Sequence, residues 1–108
     1  MIYEWRVYEI VPGKRKVLNE RFAKHTIRLF EKHGMKVVGF WENLVGGSTN
    51  TLYYMLAFRD MSHLESAWNS FKADPEWIEV AASSEKDGPL IIHENNIALT
   101  PTDYSPMK

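Results

Sequence analysis

EKHGMKVVGFWENLVGG, residues 31–47, holds the end of a helix, the start of a strand and a tryptophan set into that strand. Gly34 follows the last helical turn, where a left-handed cap residue is expected. Residues 35–45 are apolar and read as a strand, and Gly46-Gly47-Ser48-Thr49-Asn50 as the turn after it. Before Gly34, residues 14–33 repeat with a helical period, so that Leu18, Phe22, His25, Leu29 and Phe30 fall on one stripe. Before that, IYEWRVYEIV at 2–11 mixes β-branched and aromatic residues with charges and reads as a strand, ended by Pro12-Gly13. Beyond the turn, TLYYMLAFR at 51–59 is a third strand, joined to the second by a loop longer than the two-residue type.

SHLE at 62–65 has the spacing of a capping box and predicts a helix to about Ala73. Asp74-Pro75 restarts a helix, aspartate as its cap and proline in its first turn, which fades at residues 83–85. Lys86-Asp87-Gly88-Pro89 is a turn, and LIIHENNIALT at 90–100 is the last strand. The order strand, helix, strand, strand, helix, strand is the α+β, ferredoxin-like βαββαβ plan, with one four-stranded antiparallel sheet and helices on one face. Residues 1–100 form the single domain and 101–108 an extended tail. Both faces of the first strand carry large apolar groups, so the face without helices also needs a cover. A second copy of the same sheet supplies it, giving a homodimeric α+β barrel.

Composition narrows the function. Thirteen basic residues against fourteen acidic leave a net charge of −1, which argues against nucleic acid as a partner. With no cysteine, disulfides, thiolate catalysis and cysteine-based metal sites are excluded. The opening MIYEWRVYEI has no positive segment followed by a continuous apolar run. No signal peptide, membrane span or membrane partner is therefore expected, and the cytoplasm is the default location.

YEWRVY at 3–8, Pro12-Gly13, His25, KHG at 32–34, GFW at 39–41, the glycines near Gly46 and DPEW at 74–77 together resemble the NIPSNAP family. The likeness spans essentially the whole chain and rests on the order and spacing of these pieces, none of which is specific alone. It implies a ferredoxin-like protomer and a dimeric α+β barrel, and no defined reaction. The wider superfamily includes cofactor-free monooxygenases, haem-degrading enzymes, lactone isomerases and small-ligand sensors, a fold-level analogy only.

Several residues could carry chemistry. His25, on the inward stripe, is either a general base facing the sheet or a core histidine bonded to a backbone carbonyl. Glu4, Arg6 and Tyr8 share one face of the first strand by the period of two, as the head group of a polar ligand would need or as an ion pair at a dimer interface would show. Gly39 leaves room beside Trp41, which reads as a hollow edged by an indole or as space for a bulky neighbour. Tyr53 and Tyr54 point to opposite faces, and Tyr54 is taken as the one that orients a substrate with Arg6. His93 and Asn95 share one face of the last strand, Glu94 and Asn96 the other, and the polar run suggests a bulge, an edge or part of a site. Lys14, Arg15 and Lys16 read as a solvated cluster. No HxH, HxxxH or HxxEH spacing supports a metal site, and no cofactor is expected; haem would need only one axial histidine from His25, His63 or His93. The expectation is a homodimer that binds a small organic ligand in a pocket between sheet and helices, with cofactor-free monooxygenation or isomerisation as candidate activities. The alternative is a non-enzymatic dimerisation module with a filled core.

Overall fold

Burial in the first strand alternates with the period of two that a sheet covered on one face imposes. In β1 (Ile2–Ile10), Glu4, Arg6, Tyr8 and Ile10 are buried, whereas Tyr3, Trp5, Val7 and Glu9 are not. The computed structural model describes residues 1–108. β2 (Lys36–Glu42), β3 (Thr51–Phe58) and β4 (Ile91–Leu99) complete a four-stranded sheet of order β2-β3-β1-β4, every neighbouring pair antiparallel. The expected α+β, ferredoxin-like βαββαβ architecture is therefore the one found.

β2 stops three residues earlier than its apolar run suggests. Leu44 and Val45 are almost fully exposed. The loop is instead closed by the Asn43 side-chain amide, which donates to the Ser48 carbonyl at 2.8 Å. Gly46 and Gly47 take φ of 81° and 71°, the left-handed region that favours glycine.

The helix after β1 runs in three pieces: α1 (Arg15–Arg21), a π-helical turn (Phe22–Thr26) and α2 (Ile27–Lys32). A π turn inserts one extra residue, which rotates everything beyond it. The inward stripe therefore passes from Phe22 to Thr26 and on to Leu29 and Phe30, all buried, and skips His25. At the end of α2 the Met35 amide donates to the Phe30 carbonyl (2.9 Å) and the Gly34 amide to that of Glu31 (3.0 Å), a Schellman closure with Gly34 at φ 79°.

α3 (Met61–Ala73) is capped by Asp60, which accepts from the His63 amide at 2.8 Å, rather than by the Ser62 of the capping-box pattern. Asp74 then caps α4 (Pro75–Ser84), accepting from the Glu76 amide at 2.8 Å. The other oxygen of Asp74 accepts from His33 Nε2 at 2.7 Å and from Lys32 Nζ at 2.9 Å. One buried carboxylate thus ties the end of α2 to the start of α4. His33 first, then Lys32 and the Glu76 amide, hold the Asp74 pKa well below the usual carboxylate range. A depressed folded-state pKa gives stability that is complete above the ordinary aspartate value and lost as the pH falls below about 4. The urea midpoint should accordingly drop steeply below that pH, and Asp74→Asn should flatten the acid limb while lowering the plateau. An acid limb of unchanged slope in the variant would assign it to other carboxylates.

The core lies between the sheet and the helices and is built largely of aromatic and aliphatic side chains, among them Leu18, Phe22, Phe30, Leu56, Phe58 and Phe71. The other face of the sheet is open. Trp5, Val7, Tyr53, Met55, Ile97 and Leu99 share it by strand register. Trp41 joins them, its ring centroid 5.8 Å from that of Trp5, which lies the same distance from Tyr53.

Candidate functional site

The covered face of β1 sets a carboxylate, a guanidinium and a phenol in a row, two residues apart, and the register brings polar partners from both neighbouring strands. Arg6 stands between Tyr54 on β3 and Asn96 on β4, and Tyr8 opposite Glu94. Arg6 Nη1 donates to Glu4 Oε2 at 2.9 Å, and Nη2 makes longer bonds to the Tyr8 hydroxyl (3.3 Å) and Glu94 (3.4 Å). Glu4 also accepts from Asn96 Nδ2 at 2.8 Å and from the Trp68 indole of α3 at 2.7 Å. The carboxylate is only 2% exposed, so three donors compensate a charge that water cannot reach. The hydroxyls of Tyr8 and Tyr54 are 2.7 Å apart.

This network floors a cleft of about 570 Å³ between the β1–β4 half of the sheet and the helices. Trp68 and Phe71 of α3 and Trp77 of α4 form one wall; Arg21, Phe22, Thr26 and Phe30 form the other. Met61, Glu65 and Lys72, all exposed, rim the mouth. The volume is in the usual range for small-molecule sites. Both cleft arginines lie over indoles: the Arg6 guanidinium is 4.5 Å from the Trp68 ring centroid, and that of Arg21 is 5.1 Å from Trp77. The Nε–H of each is buried without an acceptor, and the indole faces offset part of the cost of burying the two charges.

Burial by itself would lower the Arg6 pKa, but Tyr54, Tyr8 and Glu4 outweigh it, so the group stays charged and sits above its ordinary value. At Arg21, burial outweighs the attraction of Glu85 and the pKa falls. Burial raises both phenols, Tyr54 strongly and Tyr8 against the opposing pull of Arg6, which keeps them protonated at neutral pH.

The sequence-predicted residues divide between three places. Glu4, Arg6 and Tyr8 line the cleft, and Tyr54, fully buried, supports it through Tyr8. His25 does not; the π turn places it in a shallow groove with Glu20, Arg21, Lys24 and Glu79, between α1 and α4. Gly39 and Trp41 are on the open face, and no hollow separates them. A Cβ on Gly39 would lie 2.8 Å from the Trp41 indole, which therefore fills the space the glycine leaves. His93 pairs with Glu9 on β1 and shares its open face. No histidine lines the cleft. His63 serves as a linker, accepting from the Arg59 amide at Nδ1 (2.9 Å) and bonded at Nε2 to the Gly34 carbonyl (3.0 Å). No cluster of three or more metal-ligating side chains is present.

Sequence reading missed Arg21, Trp68, Glu94 and Asn96. The ENN run marked the last two as unusual for a strand, and the spacing of Leu64, Ala67, Trp68 and Phe71 is an inward helical stripe. Arg21 follows Leu18 by three residues on the same inward face of α1, a spacing the sequence does show, whereas nothing in the sequence signals the π turn that begins at Phe22.

The NIPSNAP family model matches residues 3–106. Protein NipSnap homolog 3A from Homo sapiens is 29% identical over 79 residues, covering 73% of this chain and 31% of that protein. The chain thus spans about a third of the length of the curated relatives it matches. Among solved structures, a NIPSNAP family protein with unknown function from Agrobacterium tumefaciens superposes with a TM-score of 0.86 at 23% identity, over 100% of this chain and 94% of that one. SnoaB from Streptomyces nogalater, a cofactor-independent oxygenase, superposes with a TM-score of 0.61 at 13% identity, over 97% of this chain and 96% of that one. At these identities the structural likeness is one of fold. No helix is long and apolar enough to cross a membrane.

Proposed function

The chain belongs to the NIPSNAP family, and from that premise we propose that it is a homodimer whose protomers each bind a planar organic molecule in the cleft between sheet and helices. The observation that carries this reading is the cleft itself: about 570 Å³ walled by five aromatic side chains and floored by a charged, hydrogen-bonded network. A module with a filled core has no use for that volume. The activity such a site suits is cofactor-free oxygenation or isomerisation of a conjugated carbonyl compound. Both need negative charge to develop on a substrate oxygen, and a fixed guanidinium beside phenols in a low-dielectric site stabilises such charge. In the oxygenation, a substrate CH₂ would become C=O, with dioxygen supplying that oxygen and leaving its other atom, with the two hydrogens, as water. The likeness of fold to a cofactor-independent oxygenase supports this direction as an analogy.

The test is a panel of aromatic ketones, quinones and phenols titrated into the protein while the indole N–H resonances of all four tryptophans are followed. Shifts at Trp68 and Trp77 are expected; shifts confined to Trp5 and Trp41, or none at millimolar compound, would remove the reading. Oxygen uptake without added cofactor then tests the chemistry. His25→Ala is expected to leave compound affinity within about twofold, since the ring is outside the cleft, and stability within about 0.5 kcal/mol. A larger loss of affinity in a folded variant would return His25 to the site.

A further inference from the structure

The hydroxyl of Tyr8 has one proton to give and two lone pairs to receive. Arg6 Nη2 can only donate, and it takes one lone pair at 3.3 Å. The remaining question is the direction of the 2.7 Å contact with Tyr54. Tyr54 is 0% exposed and has no other side-chain hydrogen bond. If Tyr8 donated to it, the Tyr54 proton would be buried without an acceptor, a cost of about 1–3 kcal/mol. Tyr54 is therefore the donor. Both lone pairs of Tyr8 are then filled, one by Arg6 and one by Tyr54, and the Tyr8 proton has no acceptor in the chain. Tyr8 lines the cleft, so that proton faces the one space where an acceptor can arrive.

Resting on the ligand reading above, we propose that Tyr8 is the hydrogen-bond donor that selects the ligand: the cleft takes aromatic carbonyl compounds whose oxygen accepts from the Tyr8 hydroxyl, with the Arg6 charge behind it. Glu4 is excluded from this role because Arg6, Asn96 and Trp68 already occupy its oxygens. The walls of Trp68, Phe71 and Trp77 fit the aromatic part of such a molecule, and the two phenols act as a relay that fixes the donor's direction.

The experiment compares β-acetylnaphthalene with β-isopropenylnaphthalene, which has the same carbon frame with a CH₂ group in place of the oxygen. The proteins are the wild type, Tyr8→Phe, Tyr54→Phe and the double variant. Removing both hydroxyls leaves no phenol unpaired, so the double variant stays folded even if Tyr8→Phe alone does not. In Tyr8→Phe and in the double variant, the ketone is expected to bind about five- to tenfold more weakly and its bound carbonyl stretch to rise in frequency, with the hydrocarbon unaffected. Tyr54→Phe should change ketone affinity by less than about twofold, because Tyr8 keeps its free proton. A ketone that binds the wild type and the double variant alike overturns the role of Tyr8 and leaves the cleft reading standing. Tighter ketone binding in Tyr54→Phe overturns it too, because it would show that Tyr8 had been donating to Tyr54. If neither compound binds the wild type at millimolar concentration, the cleft reading fails and the role of Tyr8 with it.

Discussion

Arg6→Met is expected to lower the stability of the protomer by about 3–5 kcal/mol and to abolish ligand binding. The variant keeps an unbranched apolar stem and removes the one full positive charge beside Glu4, whose carboxylate is 2% exposed. Trp68 and Asn96 still donate to that carboxylate, which places the loss toward the lower end of the range. Domains of this size are stable by only about 5–15 kcal/mol, and a loss of 3 kcal/mol should lower Tm by roughly 12 °C or more. Urea denaturation checks the size. The double variant Glu4→Met with Arg6→Met separates the causes. Removing both charges strands no buried ion, and the neutral Trp68 and Asn96 donors that lose Glu4 cost less than an unpaired carboxylate, so the double variant should be more stable than Arg6→Met alone. If the two substitutions simply add, the penalty comes from lost packing against Trp68 and not from the stranded carboxylate.

Trp5→Glu is expected to turn the proposed homodimer into a folded monomer. The open face has Trp5 near its middle, stacked with Tyr53 and beside Trp41. If a second copy covers that face, the two-fold symmetry brings two new carboxylates into one apolar interface without a partner. Each costs at least about 2 kcal/mol, so dimer affinity should fall about a thousandfold. Sedimentation velocity at micromolar protein should show the wild type at twice the mass of the variant, with circular dichroism unchanged, because Trp5 is not part of the core. Trp5→Phe is the control that keeps an apolar ring. A wild type that sediments as a monomer, or a variant that stays dimeric, would move the proposed interface elsewhere.

The architecture was legible because burial in this chain follows simple periods. Glu4, Arg6 and Tyr8 alternate with Trp5 and Val7, Gly34 and Asp74-Pro75 punctuate the helices, and each of these positions behaves in the structure as its chemistry requires. The period could show that Glu4, Arg6 and Tyr8 share a face but not which face, since both are partly apolar. The fold decides, placing charge under the helices and tryptophan on the outside. His25 illustrates the opposite limit. A single added residue in a π turn costs no change in composition or hydropathy, yet it exchanges His25 for Thr26 on the inward face. Gly39 suggests a hollow beside Trp41, but the indole of Trp41 itself folds over the glycine and occupies that space. Local signals set the scaffold, while the membership of the cleft depends on long-range register: Asn96 meets Glu4 across 92 residues and Trp68 meets it across 64.

Both outer strands carry an irregularity. Pairing of β2 with β3 skips Val38, and pairing of β4 with β1 skips Ile92. An unbroken outer ladder is a template for another chain, and repeated templating produces fibres. Here each rim is interrupted, and the rim formed by β4 also carries Glu94, whose like charges would repel in a stack of identical strands. That favours the open face as the surface on which the proposed second copy pairs. Face-to-face pairing about a two-fold axis uses up the sticky surface in one step, so assembly stops at a finite number of copies.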